Sequence, residues 1–234
     1  MNLILFDRSE TERPLPKGDP RAVHLLTVLR RGCGDSFDAG IADGPRGKAT
    51  VDAVDAHGIT LSFAWGPEPR ALDPIHLLVA VPRPQTARKI LGEAAALGIA
   101  SIRLFPSEKG EAGYASSSLW SSGEWRQRLM DGTAQAFDTR LPQVLHAASL
   151  AEALAALPQG PVRTALDNYE ATQRLVAPSA VVPTVLAFGP ERGWSAQERD
   201  ILRAAGFGLA HLGTRVLRTE TAVVAAVAIV KAVA

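Results

Sequence analysis

One cysteine, Cys33, is the only thiol in the chain, and that scarcity excludes an internal disulfide framework and suits a reducing compartment. With five scattered histidines it forms no zinc-ligand spacing, so no metal site is expected. Long apolar runs are missing too. The longest, from Ala222 to Val230, is about half of what a membrane-spanning helix needs. No charged stretch followed by an apolar one reads as a signal peptide. Neither sign of charge is in excess: the formal net charge over 234 residues is +1. That balance neither demands nor excludes nucleic acid, since a basic patch can sit inside a neutral total. These absences lead to the expectation of a soluble, cytoplasmic protein with no membrane and no metal partner.

What is present is enough apolar material, 47% of residues, for one large core or two smaller ones. Residues 1–70 read as short strands and turns, with "NLILF", "GDSFDAGIADGPRGKATVDAV" and "GITLSFAW" punctuated by glycine. One helix interrupts them, "RAVHLLTVLRRG", with Gly32 expected as its stop. The proline-rich "GPEPRALDP" then marks a boundary. Residues 74–234 alternate strand and helix patterns, from "IHLLVAVP" and "QTARKILGEAAALGI" to "TVLAFGP", "SAQERDILRAAGF" and "LAHLG". Such alternation predicts an α/β domain with a mostly parallel sheet.

Nucleotide fingerprints fail. G-x-G-x-x-G follows no predicted strand, and "GPRGKAT" has Ala42 and Ala49 where a phosphate loop needs glycine and Ser/Thr. Two loops at strand ends remain. In "AFGPERGWSAQE" two glycines permit a sharp turn and close approach to a ligand, while Ser195 and Glu198 have capping-box spacing. In "LGTRVLRTETAVV" Thr219 or Thr221 is expected to cap the last helix, with Glu220 suited to its positive end. An ordinary cap does not account for Arg218, a cation set against the dipole. That misfit singles out Arg218 as a functional candidate.

These two loops resemble the paired C-terminal motifs of the RsmE family, the 16S ribosomal RNA N3-uridine methyltransferases of the SPOUT superfamily. "HLLTVLRRGCGDSF" resembles the family's N-terminal element, and "ARKILGEAAALGI" and "AQAFDTRLPQV" its middle segments. The resemblance implies a PUA-like β-barrel that binds RNA, then a SPOUT-type α/β domain with a C-terminal trefoil knot. It implies S-adenosylmethionine as cofactor, ribosomal RNA of the small subunit as substrate, and a homodimer. On the same resemblance Leu166, Phe188, Gly189, Glu191, Gly193, Leu212, Gly213, Leu217, Thr219 and Thr221 surround the cofactor. Arg218 would stabilise charge on the uracil, and Glu220 would either accept a proton or serve the helix end. Arg21, His24, Arg30 and Arg31 would meet RNA.

Some positions depart from the family pattern. Arg192 stands where the family reads Gly-Pro-Glu-Gly-Gly, either a phosphate contact or a solvated loop residue. Ala96, Ala134 and the segment Glu108–Gly110 depart as well. Two alternatives therefore stand beside the first reading: a SPOUT enzyme for another RNA or a ribose 2′-hydroxyl, and a catalytically silent RNA-binding paralogue.

Overall fold

In the computed structural model, which describes residues 3–158 and 160–232, the chain falls into two units. The first comprises residues 1–71 and 130–141, and the second residues 72–129 and 142–234. The boundary near residue 71 lies in the proline-rich stretch. The return of residues 130–141 to the first unit departs from the division at 70 and 74 read from the sequence.

The first unit is a five-stranded mixed sheet forming a half-barrel. Its strands are β1 (Ile4–Phe6), β2 (Leu15–Pro16), β3 (Ser36–Ile41), β4 (Arg46–Val54) and β5 (Gly58–Trp65). They lie in the order β1-β3-β4-β5-β2, with β1 parallel to β3 and the other pairs antiparallel. Phe6, Leu25, Phe37, Val51 and Ile59 form its core. A second cluster brings Leu3 and Leu5 against Met130, with Phe137 and Leu141 packed on it, which is why residues 130–141 belong here.

Helix α1 (Pro20–Val23) is started by Asp19, whose carboxylate accepts the Arg21 N–H, and by Pro20 at its first position. It runs into a π turn over His24–Val28. The stop is Arg30, not the expected Gly32. Arg30 adopts φ +51°, and the Arg31 N–H reaches back to the Leu25 carbonyl at 2.9 Å. A left-handed turn costs a non-glycine residue about 1 kcal/mol, so composition alone pointed to the wrong residue.

The second unit carries a seven-stranded sheet. In chain order its elements are β6 (Asp73–Ala80), α2 (Pro84–Ala96), β7 (Ile99–Phe105), α3 (Ser118–Ser121), α4 (Glu124–Gln135, its end grouped with the first unit) and β8 (Gln143–His146). There follow α5 (Leu150–Ala155), β9 (Val162–Leu166), β10 (Gln173–Arg174), β11 (Thr184–Phe188), α6 (Ala196–Ala204), β12 (Gly208–His211) and α7 (Thr219–Lys231). The order is β10-β12-β9-β11-β6-β7-β8, with every pair parallel. A parallel strand covered on both faces reads as an unbroken apolar run, and all five residues of β11 are buried. The sheet's connections reverse direction between β6 and β11, the place where α/β sheets open a crevice at their carboxyl ends. Among the described residues no helix is long and apolar enough to cross a membrane.

Candidate functional site

A cavity of about 540 Å³ opens in the second unit at the carboxyl ends of β6, β9, β11 and β12. The loop after β11 forms one side. Gly189 lies so close to the Trp194 indole that a Cβ there would stand 3.1 Å from the ring. Gly193, at φ +69°, donates its N–H to the Pro190 carbonyl at 2.8 Å and closes the turn. Ser195 and Glu198 then form the expected capping box at the start of α6. The buried Trp194 donates its Nε1–H to the Leu166 carbonyl at 3.0 Å, tying the end of β9 to this loop.

The segment between β12 and α7 forms another side, and here the expected caps are absent. Arg218 itself is the N-cap of α7, with no side-chain hydrogen bond to the first turn, and Thr219 begins the helix. The Arg218 side chain is exposed and makes no hydrogen bond or ion pair among the described residues. Glu220, in the first turn, is paired with Lys89 of α2 at 3.0 Å. Partial burial pushes the Glu220 carboxyl up, but its own backbone N–H, Lys89 and Arg218 outweigh that and hold it below the ordinary carboxylate range. Glu220 is thus an ionised, paired carboxylate at neutral pH, a weak proton acceptor.

A buried ion pair underlies the site. Asp167, just past β9, meets the Arg199 guanidinium of α6 at 2.6 Å, with side chains 1% and 8% exposed. Burial pushes the Asp167 carboxyl up, and the Glu170 N–H, Arg199 and the Tyr169 N–H more than offset it, leaving it below its ordinary value. Asp167, Tyr169, Arg83 and Lys89 line the cavity, and the sequence reading named none of them. Only an acidic residue directly after the strand "VRTAL" could have pointed to Asp167.

A profile of the RNA methyltransferase domain matches residues 68–231. Over 242 aligned residues the chain is 34% identical to ribosomal RNA small subunit methyltransferase E of Treponema pallidum, covering 99% of this chain and 91% of that protein. The chain belongs to the RsmE family of RNA methyltransferases. It is also 27% identical to ribosomal RNA small subunit methyltransferase E 1 of Borreliella burgdorferi over 234 residues, 97% of this chain and 95% of that one. It shares its fold with a ribosomal RNA small subunit methyltransferase E from Neisseria gonorrhoeae solved with S-adenosyl methionine. There the TM-score is 0.78 and the identity 22%, over 97% of this chain and 95% of that one.

Of the positions named from the RsmE resemblance, the cavity brings together Leu166, Phe188, Gly189, Glu191, Gly193, Leu212, Leu217 and Thr219, with Arg218 and Glu220. Gly213 and Thr221 do not line it. Gly213 turns at φ +129° and donates its N–H to His211 Nδ1 at 3.1 Å, so its part is in the turn. The first unit corrects one further expectation. Arg21 spends all five N–H donors inside the fold, on Asp19, Glu10 and the Leu5 carbonyl, and its guanidinium sits 5.1 Å from the centre of the Phe6 ring. It has none left for RNA. Arg30 and Arg31 are exposed, and His24 is half-buried. Arg192 is exposed and pairs with Glu111 at 3.4 Å, a surface contact of small energetic weight. Among the described residues no cluster of three or more His, Cys, Asp and Glu side chains could hold a metal.

Proposed function

We propose that this protein transfers a methyl group from S-adenosylmethionine to N3 of a uridine in 16S ribosomal RNA, acting in the cytoplasm as a homodimer. The observation that carries the reading is the cavity at the sheet's reversal point, edged by an unpaired arginine, in a chain of the RsmE family.

The residues present suit the cofactor. The cavity falls within the roughly 300–1,000 Å³ typical of small-molecule sites. Leu166, Phe188, Leu212 and Leu217 offer apolar walls for a flat heterocycle, and the loop around Gly189 and Gly193 offers backbone donors and acceptors. When bound, S-adenosylmethionine supplies a methyl group on a sulfonium centre. The protein's share is positioning and electrostatics. Arg218 would hold O2 or O4 of the uracil and stabilise the negative charge left as the N3 proton passes to solvent water. Glu220, ionised and paired, would keep Lys89 fixed beside α7 rather than act as the base.

Residues 1–70 are proposed as a PUA-like, RNA-binding β-barrel, with exposed Arg30 and Arg31, and with His24, as its contacts, and residues 74–234 as the SPOUT methyltransferase domain. Arg192, in the second, is proposed as an additional contact. A trefoil knot is proposed for the C-terminal segment. It is supported by chain path: β12 lies on the far side of β9 from β11, yet the next element, α7, packs on β11 and α2.

The test is to incubate the protein with labelled S-adenosylmethionine and 30S subunits, then identify the modified nucleoside. The reading expects N3-methyluridine in 16S RNA, and heat on titration with S-adenosylhomocysteine. A ribose methyl would favour the 2′-hydroxyl alternative, and folded protein that binds neither ligand would refute the proposal.

A further inference from the structure

The charges lining the cavity are unevenly satisfied. Each of its carboxylates has a partner: Asp167 holds Arg199, Glu220 holds Lys89, and Glu191 accepts the Arg83 backbone N–H at 3.1 Å. The guanidinium groups of Arg83 and Arg218 have no hydrogen bond or ion pair among the described residues. The mouth therefore keeps two guanidinium groups with no ion pair, against one carboxylate, Glu191, held only by a backbone N–H. That balance leaves cationic donors for phosphate.

Tyr169 stands on the same rim. The residue is 73% exposed, unlike the buried Phe188 and Trp194 that also line the cavity. Exposure does not mean looseness. The Tyr169 N–H donates to Asp167 Oδ1 at 2.5 Å, and the Arg199 guanidinium lies 5.6 Å from the ring centre. Gly193 lets the loop meet the ring edge, where a Cβ would stand 2.9 Å from Tyr169. The ring's anchor is thus an almost fully buried ion pair, while much of the ring faces solvent. A small-molecule ligand is mostly enclosed by its site, whereas a base carried on a strand arrives from the solvent side. An aromatic face held in water beside free guanidinium groups suits such a base, with stacking contributing about 1–3 kcal/mol.

We propose that Tyr169 is a stacking platform for an RNA base at the mouth of the cavity, with Arg83 binding a backbone phosphate of the same strand. The proposal rests on the reading of this site as an RNA methyltransferase centre. Tyr169 is a positioning residue in this scheme: it holds the nucleotide and touches no reacting atom.

The experiment measures binding of a short fluorescein-labelled, uridine-rich single-stranded RNA by polarisation over a salt series. The full-length protein is compared with Tyr169→Leu, Tyr169→Phe and Arg83→Ala. Tyr169→Leu keeps apolar bulk but removes the π-face, and should weaken RNA binding about tenfold or more. Tyr169→Phe should bind like the parent. Arg83→Ala should lower the slope of log affinity against log salt by about 0.7. S-adenosylhomocysteine affinity by calorimetry should stay within about twofold in every variant, with thermal midpoints recorded to confirm folding. A parent protein with no RNA affinity, or a folded Tyr169→Leu variant that binds RNA as the parent does, overturns the proposal. So does a loss confined to S-adenosylhomocysteine, which would assign the ring to the cofactor's adenine. If the parent binds RNA and Tyr169→Leu does not, yet no methyl is transferred, the platform stands and the methyltransferase reading fails.

Discussion

Helix α1 and helix α7 each begin beside an arginine. At α1, Asp19 caps the helix, Pro20 sets its first turn, and Arg21 is saturated by two carboxylates and a carbonyl. At α7 no side chain caps the helix, the arginine occupies the cap position itself, and its guanidinium has no partner among the described residues. One arginine holds a fold together. The other stands against the helix dipole with no hydrogen bond or ion pair, its influence being the field it exerts on Glu220, so a fold gains little from it. Paired charge marks structure here, and the unpaired charge at the cavity is what the proposed site rests on.

The largest effect that would sharpen this contrast belongs to the second unit's own paired arginine. Asp167→Ala should leave Arg199 buried without its counter-charge and cost about 3–5 kcal/mol by urea unfolding. Near-parental stability would mean that this pair does not hold the β9 end of the site. Arg21→Ala comes next. Its side chain and the two carboxylates it joins remain about a fifth to a quarter exposed, so solvent moderates the loss. About 2 kcal/mol is expected, below the figure for a fully buried pair. If Arg21→Ala instead weakens RNA binding at unchanged stability, the contrast between the two helix starts collapses.

The smallest effect concerns acid. Glu124 is held by Arg88, at 2.7 Å, and by Arg128, and these two guanidinium groups bring its carboxyl down to about 2 from the ordinary 4.5. A carboxyl depressed in the folded state contributes stability that is complete above its unfolded value. It is lost as pH falls through the folded value. Glu124→Gln should therefore flatten the loss of thermal midpoint between about pH 4.5 and pH 2 slightly, and change little at neutral pH. Identical acid profiles for parent and variant would show the clamp to be energetically silent.

Much of the second unit was legible in the sequence. "TVLAF" is apolar throughout because β11 is covered on both faces, and "SAQE" is a capping box whose partners are three residues apart. Local spacing sets both. The Asp167–Arg199 pair joins residues 32 apart, from a strand end and a helix, so no local pattern announces it. The threonines of "LRTETA" misled for a related reason: cap preference favours them, but the chain's path places Arg218 one step ahead. In the first unit, Gly32 looked like a helix stop on preference alone, while backbone hydrogen bonding set the stop at Arg30. Where local propensity and tertiary course agree, sequence suffices. Where distant partners or backbone hydrogen bonds set the chain's course, it does not.

The most direct measurement is methyl transfer per minute to 30S subunits at saturating S-adenosylmethionine by Arg218→Ala, with its thermal midpoint recorded beside the rate. Removing a cation from the positive end of α7 should leave stability unchanged or raise it by about 0.5 kcal/mol. If Arg218 stabilises the uracil anion as proposed, its loss should cut turnover about a hundredfold or more. Arg218→Lys, which keeps charge but not the planar fork, should recover only part of it. A stable Arg218→Ala protein that methylates at the parental rate would contradict the account and make Arg218 an ordinary helix-start residue.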